Sequence, residues 1–316
     1  MSSEERITES PYNIASIADV DAAVEDILKR GLFKELVQWD LTPFEQPLLA
    51  RSPSLQRFLA MRHLHRQSED VAQEYQAHDQ YNRAAFRADA CSPQHFNSFK
   101  FVFSQIDARS GGAFHGGKVR RFLDAGCAPG AFAEYVLREN EDAVGTGLTL
   151  SPGAGGLRMQ LDSSLLRRFD VQYGDVRDFA MGRETLGDMP RQGYDLVIAN
   201  ASITLAEDRV PWNDAICLTY AQLLLACRHL ADNGSLVLSI RARPLRWVVD
   251  IIQMLRGVFR TLIAVNPPYQ ARRSFMYLVC RGFRATGDDR YRYERRLRKC
   301  VGYLENTSKI LEYCMP

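Results

Sequence analysis

Residues 120–135, Arg-Arg-Phe-Leu-Asp-Ala-Gly-Cys-Ala-Pro-Gly-Ala-Phe-Ala-Glu-Tyr, constrain the fold of this chain more than any other stretch. They read as a short buried strand closed by Leu123 and Asp124, a tight glycine turn, and the first turn of a helix. Gly126 and Gly130 let the backbone turn sharply and approach a ligand with no Cβ in the way. Pro129 suits the first helical turn, where its missing N–H costs nothing. A strand, a glycine turn and a helix start, in that order, hold a nucleotide-like cofactor against a parallel sheet. The spacing is not the dinucleotide G-x-G-x-x-G, and no Gly-Lys-Ser/Thr follows to make a P-loop. With no pyrophosphate to seat, a small adenosine cofactor is expected.

The chain beyond this unit keeps the same alternation. Strands are expected at 120–124, 143–148, 169–173, 194–199, 235–240, 261–265 and 275–280, with helices at 129–138, 212–230 and 245–258. Tyr194–Ala199 is an apolar run suited to a central parallel strand covered on both faces. The turn Asp232-Asn-Gly234 introduces the fifth strand. Seven strands alternating with helices imply an α/β, doubly wound, mostly parallel Rossmann-like sheet, with ligands at the carboxyl ends of its strands. The first ninety residues read differently. Val20, Val24, Ile27, Leu28, Leu32 and Leu36 repeat near the helical period, with Gly31 interrupting. Pro43, Pro47 and Pro53 punctuate a loop, and a second helical pattern runs from Ser54 toward Tyr75, Tyr81 and Phe86. The expected organisation is a helical extension over 1–90, a cofactor-binding domain over 91–285 and a basic C-terminal helix over 286–316.

Composition excludes some classes. With 316 residues, 46% apolar and 25% charged, the chain is ordinary for a globular protein. It has no apolar run long enough to span a membrane. Its acidic N-terminus lacks a signal core, so a cytoplasmic location is expected, with the nucleus as the alternative. The seven cysteines are scattered without a C-x-x-C pair, so neither a metal site nor a disulfide framework is expected. Net charge is only +2, but residues 281–300 concentrate eight Arg/Lys, with Tyr291 and Tyr293 among them. That segment reads either as the solvated face of an amphipathic helix or as a phosphate-binding arm with stacking residues.

The run Asp124-Ala-Gly-Cys-Ala-Pro-Gly-Ala-Phe132 resembles the first cofactor motif of FtsJ-like S-adenosylmethionine (SAM) methyltransferases, a group that includes ribosomal RNA and viral cap 2′-O-methyltransferases. Ala131 stands where that family usually has a second glycine. The resemblance implies SAM as cofactor and a pocket built from Asp124, Gly126, Cys127, Ala128, Pro129 and Gly130, with Phe132 beside the methionine end. The second strand usually ends in an acid that binds the ribose; Gly147 takes that place, and Thr149 or the glycine-rich backbone after it is expected to substitute. That stretch also reads as an ordinary flexible loop. After the third strand, the resemblance puts Asp175 on the adenine amino group and Val176 on the ring, while the residues alone equally suit Asp175 as a helix cap.

FtsJ-like ribose methyltransferases use a Lys-Asp-Lys-Glu tetrad in which one lysine accepts the proton. Carried onto this sequence, its positions fall on Lys100, Asn200, Ser239 and, at or near it, Phe275. Arg241, two residues past Ser239, stays protonated and cannot act as a base. His95, His115 and His229 are weaker candidates. Lys100, Asn200 and Ser239 are therefore the candidate catalytic residues. The expected function is SAM-dependent methyl transfer to a small molecule or another activated acceptor. RNA ribose 2′-O-methylation by a rearranged site is the second reading, and a SAM-binding scaffold without catalysis the third.

Overall fold

The computed structural model describes residues 17–31, 41–67, 92–187, 189–203, 212–267 and 275–314. The chain divides into two compact units, residues 1–88 with 244–247, and residues 89–243 with 248–316. In the first unit, α1 spans Ile17–Arg30, α2 Gln46–Leu49 and α3 Pro53–Gln67. Ala23, Val24 and Ile27 of α1 pack against Leu59, Ala60 and Leu64 of α3, the stripe that the helical period of the sequence requires. Gly31 takes φ +66°, and α1 ends before it, at Arg30. The Leu32 and Leu36 positions, and the run toward Phe86, lie outside the described residues.

The second unit opens with a helix, α4 (Pro93–Arg109), capped by Ser92 Oγ accepting from the His95 amide at 3.0 Å. There follow β1 (Arg121–Ala125), α5 (Ala131–Glu139), β2 (Val144–Thr149), α6 (Ser163–Leu166), β3 (Phe169–Tyr173) and α7 (Val176–Met181). Then come β4 (Tyr194–Ala199), α8 (Trp212–His229), β5 (Leu230–Arg241), α9 (Arg246–Val258), β6 (Phe259–Val265), β7 (Phe275–Phe283) and α10 (Gly287–Cys314). The seven strands form one sheet in the order β3-β2-β1-β4-β5-β7-β6. Neighbours are parallel except that β7 runs antiparallel to both β5 and β6. The mostly parallel, doubly wound expectation is met. The expected Asp232-Asn-Gly234 turn lies inside β5, where the register with β4 slips between Leu230 and Ser235 and Asn233 sits at φ +62°.

Pairing sorts the side chains into two faces. Phe122 lies level with Leu196, Ile198 with Val237, and Val237 with Val279. These share one core cluster with Phe103 and Ile106 of α4 and Phe132 and Val136 of α5. The alternate residues, Leu123, Val197, Leu236 and Leu238, are buried on the opposite face, where α8 packs on β4 and β5. Burying one such large apolar side chain contributes roughly 1.5–3 kcal/mol. α10 lies along α8 and buries Leu297, Val301 and Leu304.

The order of strands reverses between β1 and β4, the point at which open α/β sheets leave a crevice at the strand ends. The glycine loop sits there.

Candidate functional site

Asp124 is the next-to-last residue of β1 and is 1% exposed. Its Oδ2 has no hydrogen-bond partner among the described residues, and burial pushes its carboxyl up to about 8. An apolar setting disfavours the carboxylate unless a cation or donors face it.

The loop after β1 is pinned on both sides. The amides of Gly126 and Cys127 donate to the Leu148 carbonyl at 2.8 and 3.1 Å, and the Asn200 amide donates to the Ala125 carbonyl at 3.1 Å. Gly126 lies at φ +85°, and a Cβ there would run into the backbone of Ala201. Ala201 is in turn held by Gln222 of α8, whose Oε1 accepts from its amide at 2.8 Å. Burial, with the Asp124 charge beside it, pushes the Cys127 thiol well above its usual range, so it is no nucleophile. The peptide bond between Ala128 and Pro129 is cis. Gly130, at φ +112°, caps α5, and a Cβ there would meet Leu161 Cγ at 2.7 Å and Met159 Sδ at 2.8 Å. The helix therefore begins at Ala131 rather than at Pro129, because the residue between them is in a conformation no helix allows.

Phe132 is packed into the core, its ring 4.8 Å from that of Phe103 and 6.1 Å from that of Tyr277.

On the neighbouring strand, Gly147 does not end β2; it pairs with Asp124, two residues before the strand stops at Thr149. The reason is steric. The rings of Phe122 and Phe169 stack at 5.5 Å, and a Cβ on Gly145 or Gly147 would strike them. Thr149 is buried at the strand end, and its carbonyl accepts from the Gly174 amide at 2.9 Å. Asp175 caps α7, accepting from the Arg177 amide at 2.8 Å. The Arg177 guanidinium also grips the carboxylate through Nη2 at 2.7 Å and Nε at 3.0 and 3.1 Å. Burial pushes the Asp175 carboxyl up, but its bonds with Arg177 outweigh that and hold it below the usual carboxylate range. Val176 is buried beside it.

Lys100 projects from α4, and its Nζ lies 3.1 Å from Glu134 Oε1 in the first turn of α5. The same oxygen accepts from Arg138 Nε at 2.9 Å, and Arg138 Nη2 reaches Asp162 at 2.9 Å. Asn200 follows the last residue of β4. Ser239 pairs with Tyr277, and Arg241 with Phe275. Because β7 is antiparallel, its beginning lies at the same edge as the ends of β1, β4 and β5. The register sets Asp124, Asn200, Ser239 and Phe275 on the face that α4 and α5 cover. The structure thus gathers the candidate residues at one sheet edge, with Lys100 joined to Glu134.

Glu134 and Arg177 were not foreseen. An acid in a first helical turn is too common to carry a signal.

The histidines separate. The His95 ring packs on Phe99 at 4.7 Å in the first turn of α4. His229 ends α8, its carbonyl beside Gly193 at the opposite sheet edge, and burial, with Arg228 nearby, lowers it to about 4. His115 lies in the loop before β1, its Nδ1 2.6 Å from Asp107 Oδ2. Among the described residues, no group of three or more His, Cys, Asp or Glu is placed to hold a metal. None of the described helices is long and apolar enough to cross a membrane.

The strand order and the glycine crevice define a Rossmann-type methyltransferase architecture. The family model for FtsJ-like methyltransferases matches residues 101–283, more than half of the chain, and the protein belongs to that family. Its cofactor is accordingly S-adenosylmethionine, and the unpartnered Asp124 oxygen beside a glycine-lined turn fits a cofactor that carries an ammonium group. Among solved structures, a protein described as a ribosomal RNA methyltransferase from Plasmodium falciparum is similar at TM-score 0.41 and 13% identity, over 58% of this chain and 96% of that one. Human methyltransferase-like protein 13 in complex with SAH is similar at TM-score 0.36 and 14% identity, over 58% of this chain and 82% of that one. Aeropyrum pernix fibrillarin with bound S-adenosylmethionine is similar at TM-score 0.35 and 17% identity, over 53% and 67%. No curated protein matches the chain.

Proposed function

We propose that this methyltransferase acts on an acceptor that needs less activation than a ribose hydroxyl: an amine, thiol, phenol or carboxylate, carried first of all by a small molecule. When bound, SAM supplies an electrophilic methyl group, and the protein's task is to position the acceptor. Asp124 would hold the ammonium of the cofactor, and Gly126 and Gly130 would bring the main chain against it. Thr149 would face the ribose, and Asp175 with Val176 the adenine. The observation that carries the acceptor reading is the set of tetrad positions. Asn200 and Ser239 are neutral, Phe275 is apolar, and the Lys100 amine is engaged by Glu134 at 3.1 Å. No second lysine stands at these positions, and Arg241 keeps its proton.

RNA ribose methylation is the second reading. Its support is the Lys100–Glu134 pair itself, a lysine–carboxylate couple supplied from α4 and α5 rather than from the sheet. Both readings are tested by following radiolabelled methyl from SAM into a size-fractionated metabolite extract and into total RNA, with wild type and Lys100→Ala. Label in small molecules that survives Lys100→Ala supports the first reading. Label on RNA ribose that the substitution reduces at least about 100-fold, the scale of one general base, replaces it with the second.

A further inference from the structure

The charges of α10 are sorted by the fold in a way its composition conceals. Three of its acids are paired: Glu294 with Arg228 at 2.5 Å, Glu305 with Arg183 at 2.7 Å, and Asp289 with Arg292 at 2.7 Å, while Asp288 stands exposed in its first turn. Some of its basic residues are consumed too. Arg290 donates to the Cys227 and Leu230 carbonyls at the end of α8, and Arg298 donates to the Met181 carbonyl at the end of α7. What faces solvent between 291 and 303 is Tyr291, Arg292, Arg295, Arg296, Lys299 and Tyr303. At 3.6 residues per turn these six fall within roughly 140° of arc, a single face about 18 Å long. Arg295, Arg296 and Lys299 have no ion-pair partner among the described residues, and the two tyrosines at the ends of the face are 68% and 71% exposed.

The face also has a direction. Asn213 Nδ2, at the start of α8, donates to the Leu304 carbonyl at 2.9 Å, whereas Arg290 sits at the end of α8, so the two helices are antiparallel. Gln222, in the middle of α8, holds Ala201 just past β4. The Tyr303 end of α10 therefore rises past the sheet edge that carries the glycine loop.

We infer that this face of α10 docks a single-stranded nucleic acid, its phosphates on Arg295, Arg296 and Lys299 and its bases stacked on Tyr291 and Tyr303. Regularly spaced cations bracketed by exposed aromatic rings match a strand that offers both anions and planar faces. An acidic protein segment would meet the charges and leave the tyrosines without a planar partner. The face lies beyond residues 101–283, so it is an addition to the family's domain. The inference goes beyond the methyl-transfer reading and does not depend on which atom is methylated.

The test is fluorescence anisotropy of the full chain with a labelled 20-nucleotide single-stranded RNA, titrated across potassium chloride. Thermal unfolding and SAM calorimetry of each variant serve as fold controls. The R295Q/R296Q/K299Q variant is expected to bind at least about ten-fold more weakly. Its slope of log affinity against log salt should fall by about 2, three phosphates at roughly 0.7 each. Y291A/Y303A should weaken binding about five-fold or more while keeping the wild-type slope. Absence of wild-type binding at low salt, an unchanged slope in the charge variant, or preference for a duplex of equal length would overturn the inference. So would heparin displacing the RNA while Y291A/Y303A binds like wild type. Methyl transfer is read separately. Absence of wild-type docking with transfer intact sinks this inference alone, and intact docking with no transfer sinks only the functional reading.

Discussion

Two buried aspartates, one in α4 ahead of β1 and one near the end of β1, are opposites. Before the strand, Asp107 is fully buried at the end of α4, and its carboxylate is filled by the protein. The Phe114 amide donates to Oδ1 at 2.7 Å, and the Tyr135 hydroxyl to Oδ2 at 2.9 Å, with His115 Nδ1 2.6 Å from the same oxygen. Within the strand, at its next-to-last residue, Asp124 is equally buried, and one of its oxygens has no hydrogen-bond partner among the described residues. A folded protein rarely leaves such an atom unmatched without a functional reason. Asp107 staples the entry loop to α4 and α5. Asp124 is left with an open oxygen, the place where the proposed function puts the cofactor's ammonium.

Breaking the staple has the largest expected effect on stability. Asp107→Ala leaves the buried Phe114 amide, the half-buried Tyr135 hydroxyl and the exposed His115 ring without their shared acceptor, and should lower the unfolding free energy by about 2–3 kcal/mol in denaturant titration. SAM affinity per folded molecule should stay near wild type. Asp124→Asn should do the reverse. It keeps the shape, cannot ionise to meet the cofactor's ammonium, and should cost about 1.5–3 kcal/mol in SAM binding by calorimetry with no loss of stability. Wild-type affinity in that variant would make the two aspartates alike.

Asp175→Ala sharpens the contrast, because Asp175 is already bonded to Arg177. Loss of its cap should cost about 1 kcal/mol of stability. If it also pairs with adenine, SAM affinity falls by roughly 1–3 kcal/mol, and a purely structural role leaves affinity alone.

The last expected trend is with pH. The folded state keeps a proton on Asp124 up to about 8, whereas the unfolded chain releases it near 3.8. The folded state thus binds the extra proton in that window, and the contribution of Asp124 to stability declines as pH rises through it. Cofactor binding to the carboxylate should strengthen over the same rise. Both trends should flatten in Asp124→Asn, as read by thermal melts and calorimetry from pH 6 to 8.

Much of the fold was legible because it rests on local periodicity. Phe169–Tyr173 and Tyr194–Ala199 are strands with the boundaries their sequences suggest, since alternation and apolar runs are properties of a few adjacent residues. The glycine loop was legible for the same reason. Gly126 and Gly130 are required by positive φ, a constraint felt at the residue itself. Errors fall where a distant group sets the outcome. Gly147 suggested the end of β2, but it is a mid-strand glycine that makes room for a ring from β3. Asp175 is a different case: the cap that its sequence allowed is present, made by the amide two residues on, and its adenine role is read by the SAM titration above.

The sequence by itself determined the alternation of strands and helices, the cofactor turn and the identities at the candidate catalytic positions. Only the tertiary structure decided that Lys100 meets Glu134, that Asp107 is satisfied while Asp124 is not, and which charges of α10 are paired and which face solvent. Backbone conformation follows from near neighbours, whereas the partner of a charge is chosen by packing between segments far apart in the chain. For Arg183 and Glu305 that separation is 122 residues, and no local pattern records it.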